Sequence, residues 1–203
     1  AHRRTASWWE AFWARSWVLV SGDGGLPVPA NSHALRVGED AHGGHRFPGS
    51  LGRTNAYGRP LIGGEVARLA AGREVPAPVT DGLLRSGAPL DLSAGFTLEA
   101  WVRPDSATPG RIFDKVTPGG ADGFLLDNHP GGTLRAIVGR VTLSAPPGTL
   151  RTGEWQHVAA TLDARTGALR LYVDGKPVAE RPGDVVSRVT QAYALQRWVQ
   201  ACG

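Results

Sequence analysis

The sequence predicts an all-β fold, and three features of its 203 residues point that way. Its 28 Gly and 15 Pro exceed the average share of both residues, which is typical of chains with many tight turns. Short apolar and β-branched runs alternate with these turns from about residue 22 to residue 181. Asp174-Gly175 stands between two such runs and is a typical hairpin turn, because both residues accept a positive φ.

The clearest strand is FTLEAWV, residues 96–102, in which every second side chain is apolar. The face predicted to be buried consists of Phe96, Leu98, Ala100 and Val102. We expect the opposite face, with Glu99 and Trp101, to be more solvated. Residues 64–71, GEVARLAA, form the one short helix predicted inside the β region.

Both ends of the chain have helical periodicity. In residues 7–20 the aromatic side chains recur on one helical face, with Ser7 at the N-cap position and Glu10 three residues later. A second helix is predicted in residues 189–199, before Gly203. The change between helical and β periodicity divides the chain into a helical segment (residues 1–21), a β domain (residues 22–183) and a second helical segment (residues 184–203).

Charge and composition exclude several classes of function. The formal net charge is +4, but the basic residues are scattered singly, so we do not expect nucleic acid as a partner. No apolar run approaches the roughly 20 residues that span a bilayer, so no membrane span is predicted. The single cysteine, Cys202, excludes an intramolecular disulfide and a Cys-based zinc site.

Five motifs follow one another between Asp91 and Glu180. They are FTLEAWVRP (96–104), RIFDK (111–115), GFLLD (123–127), GEWQHVAATLD (153–163) and GALRLYVDGKPVA (167–179). This ordered set resembles the laminin-G-like, concanavalin A-like lectin/glucanase family. The resemblance implies a two-sheet β-sandwich with jelly-roll topology, here with short helices at both termini.

A second stretch, residues 33–69, resembles the closing segment of the same family. That segment normally follows the hairpin at Asp174-Gly175, whereas here it precedes the strand at 96–102. Either the tail of one module precedes the head of another, or one module is circularly permuted, with closing segment 31–72 and opening segment 79–180. We favour permutation, because half a sandwich would expose unpaired strand edges, and the termini of such domains usually lie close together.

The two helical ends resemble consecutive pieces of the catalytic domain of large bacterial glycoside hydrolases related to the family ninety-five α-L-fucosidases. This resemblance implies a host enzyme built as a helical toroid, with the sandwich inserted between two of its helices. We therefore expect an extracellular or periplasmic location, with the export signal upstream of this chain.

The sequence also bears on catalysis. Lectin-fold glucanases carry a Glu-x-Asp-x-x-Glu strand, which supplies the nucleophile and the general acid. No Glu in this sequence is followed two residues later by Asp, and Gly-x-Ser-x-Gly does not occur. We therefore expect no enzyme activity from the domain itself, and predict non-catalytic carbohydrate binding in a larger secreted glycoside hydrolase. The alternatives are a structural or protein-interaction module without a sugar ligand, and flanking helices that contribute to a glycosidase site.

Sugar rings stack on aromatic faces, and their hydroxyl groups pair with planar polar groups. The candidate carbohydrate-binding residues on this basis are Tyr57, Trp101, Arg103, Asp127, Asn128 and His129. Residues 127–130 are predicted to form a loop at the rim of the ligand site. Trp101 and Trp155 also occupy positions where the family resemblance implies an aromatic in the core or between the sheets, and we favour that position for both.

The family resemblance also implies a structural Ca²⁺ near a sheet edge. The candidate ligands are Asp40, Asp127 and Asn128, followed by Asp114 and Asp122. Asp and Asn are also ordinary turn formers that bond to their own backbone. We expect His42-Gly-Gly-His45 to be a surface loop rather than a transition-metal site, and His157 to be packed or bonded to a neighbouring backbone group rather than catalytic.

Overall fold

The computed structural model describes residues 25–73, 92 and 94–183, which form two five-stranded antiparallel sheets. The elements are β1 (Arg36–Val37), β2 (Gly49–Tyr57), α1 (Gly63–Ala70), β3 (Gly95–Pro104), β4 (Gly110–Lys115), β5 (Phe124–His129), β6 (Thr133–Val138), β7 (Val141–Ser144), β8 (Gln156–Asp163), β9 (Ala168–Val173) and β10 (Lys176–Arg181). Sheet A has the order β1-β4-β5-β6-β7, and sheet B the order β10-β9-β8-β3-β2. The predicted two-sheet β-sandwich is confirmed. The helices predicted in residues 7–20 and 189–199 lie outside the described residues.

The core lies between the two sheets and is built from alternate residues of each strand. The four apolar residues predicted to face inward from β3 are all buried there. The ring of Phe96 in sheet B stacks on that of Phe124 in sheet A, with 4.6 Å between centroids. Each fully buried side chain of this size stabilises the fold by about 1.5–3 kcal/mol.

The strands of residues 33–57 belong to the same two sheets as β3–β10. β1 pairs with β4 at one edge of sheet A, and β2 pairs with β3 at one edge of sheet B. β2 is one continuous strand that ends at Tyr57, and its register shifts between Leu51 and Thr54. One sandwich therefore contains both segments that resemble the family.

Two edge strands of sheet A differ from the sequence prediction. β7 was missed because its alternation lasts only four residues: Val141 and Leu143 pack against the core, while the residues between and after them are exposed. β1 lies in the region predicted to contain short strands but has only two residues in the ladder, because Gly38 follows with φ 82° and turns the chain away. The hairpin after β9 is confirmed, with positive φ at both Asp174 and Gly175.

Helix α1 covers the outer face of sheet B, so the expectation that this face is solvated is wrong. Val66 and Leu69 are buried against the sheet, in a small cluster with Tyr57 and Tyr172. Glu99 points outward from β3 and is nevertheless fully buried. The helix itself is confirmed at almost the predicted bounds. Within residues 25–73 and 94–183, no helix has the length and apolar character needed to cross a membrane.

The start of α1 is held by a carboxylate. Glu65 accepts the backbone N–H of Ile62 at 3.0 Å and a bidentate pair of hydrogen bonds from Arg59. The Arg59 guanidinium lowers the pKa of Glu65, as do the bond from Ile62 and the nearby positive charges. This arrangement positions the helix over the sheet.

Candidate functional site

The six candidate carbohydrate-binding residues are divided between the two sheets. Three lie on β5 of sheet A, and the other three, Tyr57, Trp101 and Arg103, lie on β2 and β3 of sheet B. Tyr57 is buried beneath α1, where burial is the main cause that raises the pKa of its hydroxyl group. Trp101 is half-buried and Arg103 is exposed.

The prediction of a loop at residues 127–130 is wrong for its first three residues, because β5 continues to His129 and pairs with Thr133 of β6. Asn128 is fully buried, and its side-chain amide donates to the carbonyl oxygens of Ser106 and Thr108. In this position it braces the loop that follows β3. A strand forms here because the apolar run of residues 124–126 continues into polar residues whose backbone groups still pair with β6.

Asp127 is the centre of a charge network on the outer face of sheet A. Its two oxygens accept hydrogen bonds from Arg135 at 3.0 and 2.6 Å, and Arg111 donates a third. Asp114 is also buried, and burial is the main cause that raises its pKa. Nε of Arg111 lies 3.1 Å from Oδ2 of Asp114, although the two are not aligned as a hydrogen bond. His129 is half-buried beside Arg135.

Asp40, another predicted calcium ligand, is held by its own loop. Its Oδ1 accepts the backbone N–H groups of His42 and Gly44, both at 2.8 Å, and its Oδ2 lies 2.6 Å from Nδ1 of His45. The bond with His45 is the main cause that lowers the pKa of Asp40 to about 2, helped by the two backbone bonds. The described residues contain no group of three or more His, Cys, Asp or Glu arranged to hold a metal ion. Calcium binding by Asp40, Asp127 and Asn128 stays a prediction.

An aromatic surface lies on the outer face of sheet B. Trp101 of β3 and Trp155, just before β8, both approach Gly52 of β2. A Cβ atom at Gly52 would lie 3.2 Å from Cβ of Trp101 and 3.3 Å from Cζ3 of Trp155. Because Gly52 has no side chain, it does not cover the indole ring of Trp155. Trp155 is 47% exposed, which excludes a core position for it. We call Gly52, Trp101 and Trp155 the Trp platform.

Charged groups surround the Trp platform. Arg151 lies 2.6 Å from Glu154 and 3.5 Å from Asp174, and all three side chains are between two fifths and three fifths exposed. Arg103, two residues after Trp101 on the same face of β3, lies 3.9 Å from Asp105. The platform therefore combines flat apolar rings with donors and acceptors that reach solvent.

Beside the platform, Glu99 and His157 form a buried pair that the sequence analysis did not identify. Nε2 of His157 lies 3.0 Å from Oε2 of Glu99, and Asn55 donates to the other carboxylate oxygen. The edge of the Trp101 indole packs against the His157 ring, with 5.7 Å between centroids. In the antiparallel register of FTLEAWV with HVAATLD, Trp101 stands opposite His157, and Glu99 lies two residues before Trp101 on the same face. That register would have revealed the Glu99–His157 pair.

The family is established by comparison with known sequences. Residues 79–197 match a laminin-G-like family model described as the concanavalin A-like lectin/glucanases superfamily. The chain belongs to this superfamily. The match covers more than half of the chain and includes β3–β10. No curated protein and no solved structure matches the chain significantly.

In this concanavalin A-like domain, the two outer faces differ in what they offer to a ligand. On sheet A the carboxylates of Asp114 and Asp127 are at most 2% exposed. On sheet B the carboxylate of Glu99 is enclosed, whereas the indole of Trp155 is open to solvent. The accessible chemistry at the Trp platform is therefore stacking and hydrogen bonding.

Proposed function

We propose that this concanavalin A-like domain binds carbohydrate without cleaving it, and that the Trp platform is the contact surface. The observation that carries the proposal is the exposed indole of Trp155 beside Trp101. The C–H faces of sugar rings stack on aromatic faces, and a Trp side chain loses little conformational entropy on binding. Membership of a superfamily described by its lectins and glucanases supports a glycan as the ligand.

The charged rim supports the same ligand. The side chains of Arg151 and Glu154 are half exposed or more and lie next to Trp155 in the chain. Guanidinium groups donate and carboxylates accept hydrogen bonds, so together they complement sugar hydroxyl groups, which do both. This rim would orient a ring that stacks on the indole.

The surroundings of Glu99 support binding rather than hydrolysis. It is the carboxylate nearest to Trp101 on the face of β3, and it is fully buried. Its oxygens are engaged by Asn55 and His157. A glycosidase needs two carboxylates that reach the scissile bond, and Glu99 is committed to holding the strands together.

We further propose that the domain serves a larger secreted glycoside hydrolase and holds the host near its polysaccharide. The resemblance of residues 1–21 and 184–203 to a helical catalytic domain supports this role. A circular permutation belongs to the same proposal, since β1 and β2 precede β3 in the chain yet border the same sheets. The complete reading frame is expected to encode a toroidal hydrolase interrupted by this domain, and a frame without hydrolase sequence would overturn the proposal.

The binding proposal is tested with Trp155→Ala. We expect affinity electrophoresis in gels that contain soluble polysaccharides to detect at least one ligand for the full chain. Loss of the stacking contact should weaken that binding about 10-fold, equivalent to about 1.4 kcal/mol. Val37→Ala is the matched control, because Val37 is an apolar residue exposed to a similar extent on sheet A.

Two results would overturn the proposal that the Trp platform binds carbohydrate. One is equal binding by Trp155→Ala and the unsubstituted chain. The other is a folded, monodisperse chain that binds none of the polysaccharides, which would favour a structural or protein-interaction module instead.

A further inference from the structure

A separate cleft of about 250 Å³ opens on the outer face of sheet B, near the start of α1. Its floor is formed by Thr161 of β8 and by Arg170 and Tyr172 of β9, and residues 60–63 form one wall. The Trp platform lies at the other end of β8, since Trp155 precedes the first residue of that strand. The two features are therefore separate surfaces.

Two hydroxyl groups in this cleft have no hydrogen-bond partner among the described residues. Thr161 and Tyr172 are 3% and 4% exposed, and neither side-chain hydroxyl makes a hydrogen bond in the described part of the chain. Neither oxygen is sealed from solvent, because neither belongs to the fully enclosed unpaired atoms. Because both oxygens open into the cleft and have no partner among the described residues, a ligand that enters the cleft can pair with them in place of water.

The charged groups around the cleft are already compensated. Arg170 donates to Glu180 from Nε at 2.9 Å, and its terminal nitrogen lies 2.7 Å from the same oxygen. The Oδ1 atom of Asp163 accepts the backbone N–H groups of Arg165 and Thr166. A charged ligand would have to compete with these contacts, whereas a neutral ligand needs only the free hydroxyl groups.

The wall of the cleft is apolar. Pro60 and Leu61 line it, and the side chain of Ile62 is 71% exposed at its edge. A volume of about 250 Å³ is smaller than the roughly 300–1,000 Å³ of typical small-molecule pockets. The cleft thus fits one compact molecule that has hydroxyl groups on one side and C–H groups on the other.

We propose that this cleft binds a single neutral sugar ring, in a site distinct from the Trp platform. Thr161 and Tyr172 hold its hydroxyl groups, and residues 60–62 pack against its C–H face. The proposal rests on the proposed carbohydrate-binding function for the class of ligand, but not for the location of the site.

The test uses the ¹⁵N-labelled full chain, titrated with glucose, galactose, mannose and N-acetylglucosamine at millimolar concentrations. We expect at least one sugar to shift the amide signals of Gly63, Thr161 and Arg170 in a saturable manner. Thr161→Val and Tyr172→Phe each remove one hydroxyl group and keep the shape. Each should weaken binding about 10-fold, as expected for the loss of one well-placed hydrogen bond. Thr142→Val is the matched control, since Thr142 is exposed on β7 of sheet A.

The outcomes separate this site from the Trp platform. Trp155→Ala should leave the monosaccharide shifts unchanged while it weakens polysaccharide binding. The cleft proposal is overturned if no sugar shifts these amides, or if both hydroxyl variants, shown to be folded by circular dichroism, bind as tightly as the unsubstituted chain. If polysaccharide binding persists in that case, the proposal that the Trp platform binds carbohydrate still stands.

Discussion

The outer faces of the two sheets bury polar side chains in different ways. On sheet A, long side chains of the sheet itself cover the carboxylate of Asp127, because Arg111 and Arg135 fold over it. On sheet B, the apolar side of α1 covers the strands, with Leu69 packed against them. The first cover depends on charge pairing and the second on close packing, so the two faces should respond differently to substitution.

The difference also decides where ligands have access. On sheet A, Arg111 and Arg135 pair with Asp127 and leave its carboxylate enclosed. The eight residues of α1 are shorter than the strands it crosses, so sheet B stays open at both ends. The Trp platform and the cleft beside Tyr172 occupy these two open ends.

The largest effect is expected from Asp127→Ala. It would leave two guanidinium groups, each less than one fifth exposed, without their carboxylate, at a cost of about 3–5 kcal/mol in the free energy of unfolding. Urea denaturation measures this change. Glu39→Ala is the control, because the side chains of Arg36 and Glu39 are 42% and 33% exposed and their pair should contribute less than about 1 kcal/mol. Equal losses for the two variants would mean that the network does not cover sheet A.

A smaller loss is expected when the cover of sheet B is cut back. Leu69→Ala removes a side chain that is 2% exposed under α1, and should lower the free energy of unfolding by about 2–3 kcal/mol. This loss is at the lower end of the range for buried Leu→Ala substitutions, because a surface helix can move towards the sheet and reduce the cavity. Arg68→Ala, at an exposed position of the same helix, should change it by less than about 0.5 kcal/mol. A Leu69→Ala chain as stable as Arg68→Ala would contradict apolar packing as the cover.

The smallest effect concerns pH. The hydrogen bond with His45 lowers the pKa of Asp40 to about 2 in the folded chain, from an ordinary value of 3.8. A lowered pKa stabilises the fold above about pH 4, and this contribution is lost as the pH falls towards 2. It should amount to about 1–2 kcal/mol, since His45 is largely exposed and its charge is screened.

Asp40→Asn checks the sign of this effect. Unfolding measured at pH 6, 4 and 2 should show the unsubstituted chain to be the more stable at pH 6, with the gap closing towards pH 2. A gap that stays constant across this range would assign the role of Asp40 to its shape and not to its charge.

Local features were predicted well. The alternation of FTLEAWV identified the buried face of β3, because the period of two is a property of any extended strand. Asp174-Gly175 was recognised as a hairpin because positive φ at both positions is a local requirement. Helix α1 was found from its apolar spacing over a single short segment.

The site was predicted only in part. Trp101 was a candidate from the sequence and belongs to the proposed platform, but the exposure of Trp155 and the absence of a side chain at Gly52 matter only once β2, β3 and β8 lie side by side. Glu99 and His157 are 58 residues apart and meet only through strand register. Asp127 and Asn128 had the residue types of a ligand site, but nothing local indicated that arginines would occupy one and a loop the other.

The all-β class, most of the strands, the hairpin turn, the short helix and the resemblance to the concanavalin A-like superfamily could be predicted from the sequence alone. These depend on the period of side chains and on backbone preference, which act over a few residues. The tertiary structure was needed to show which outward-facing residues are buried, which aromatic ring is open to solvent and which two hydroxyl groups lack partners among the described residues. Those properties depend on what a distant segment places over each strand, and a pattern within one strand carries no information about its cover.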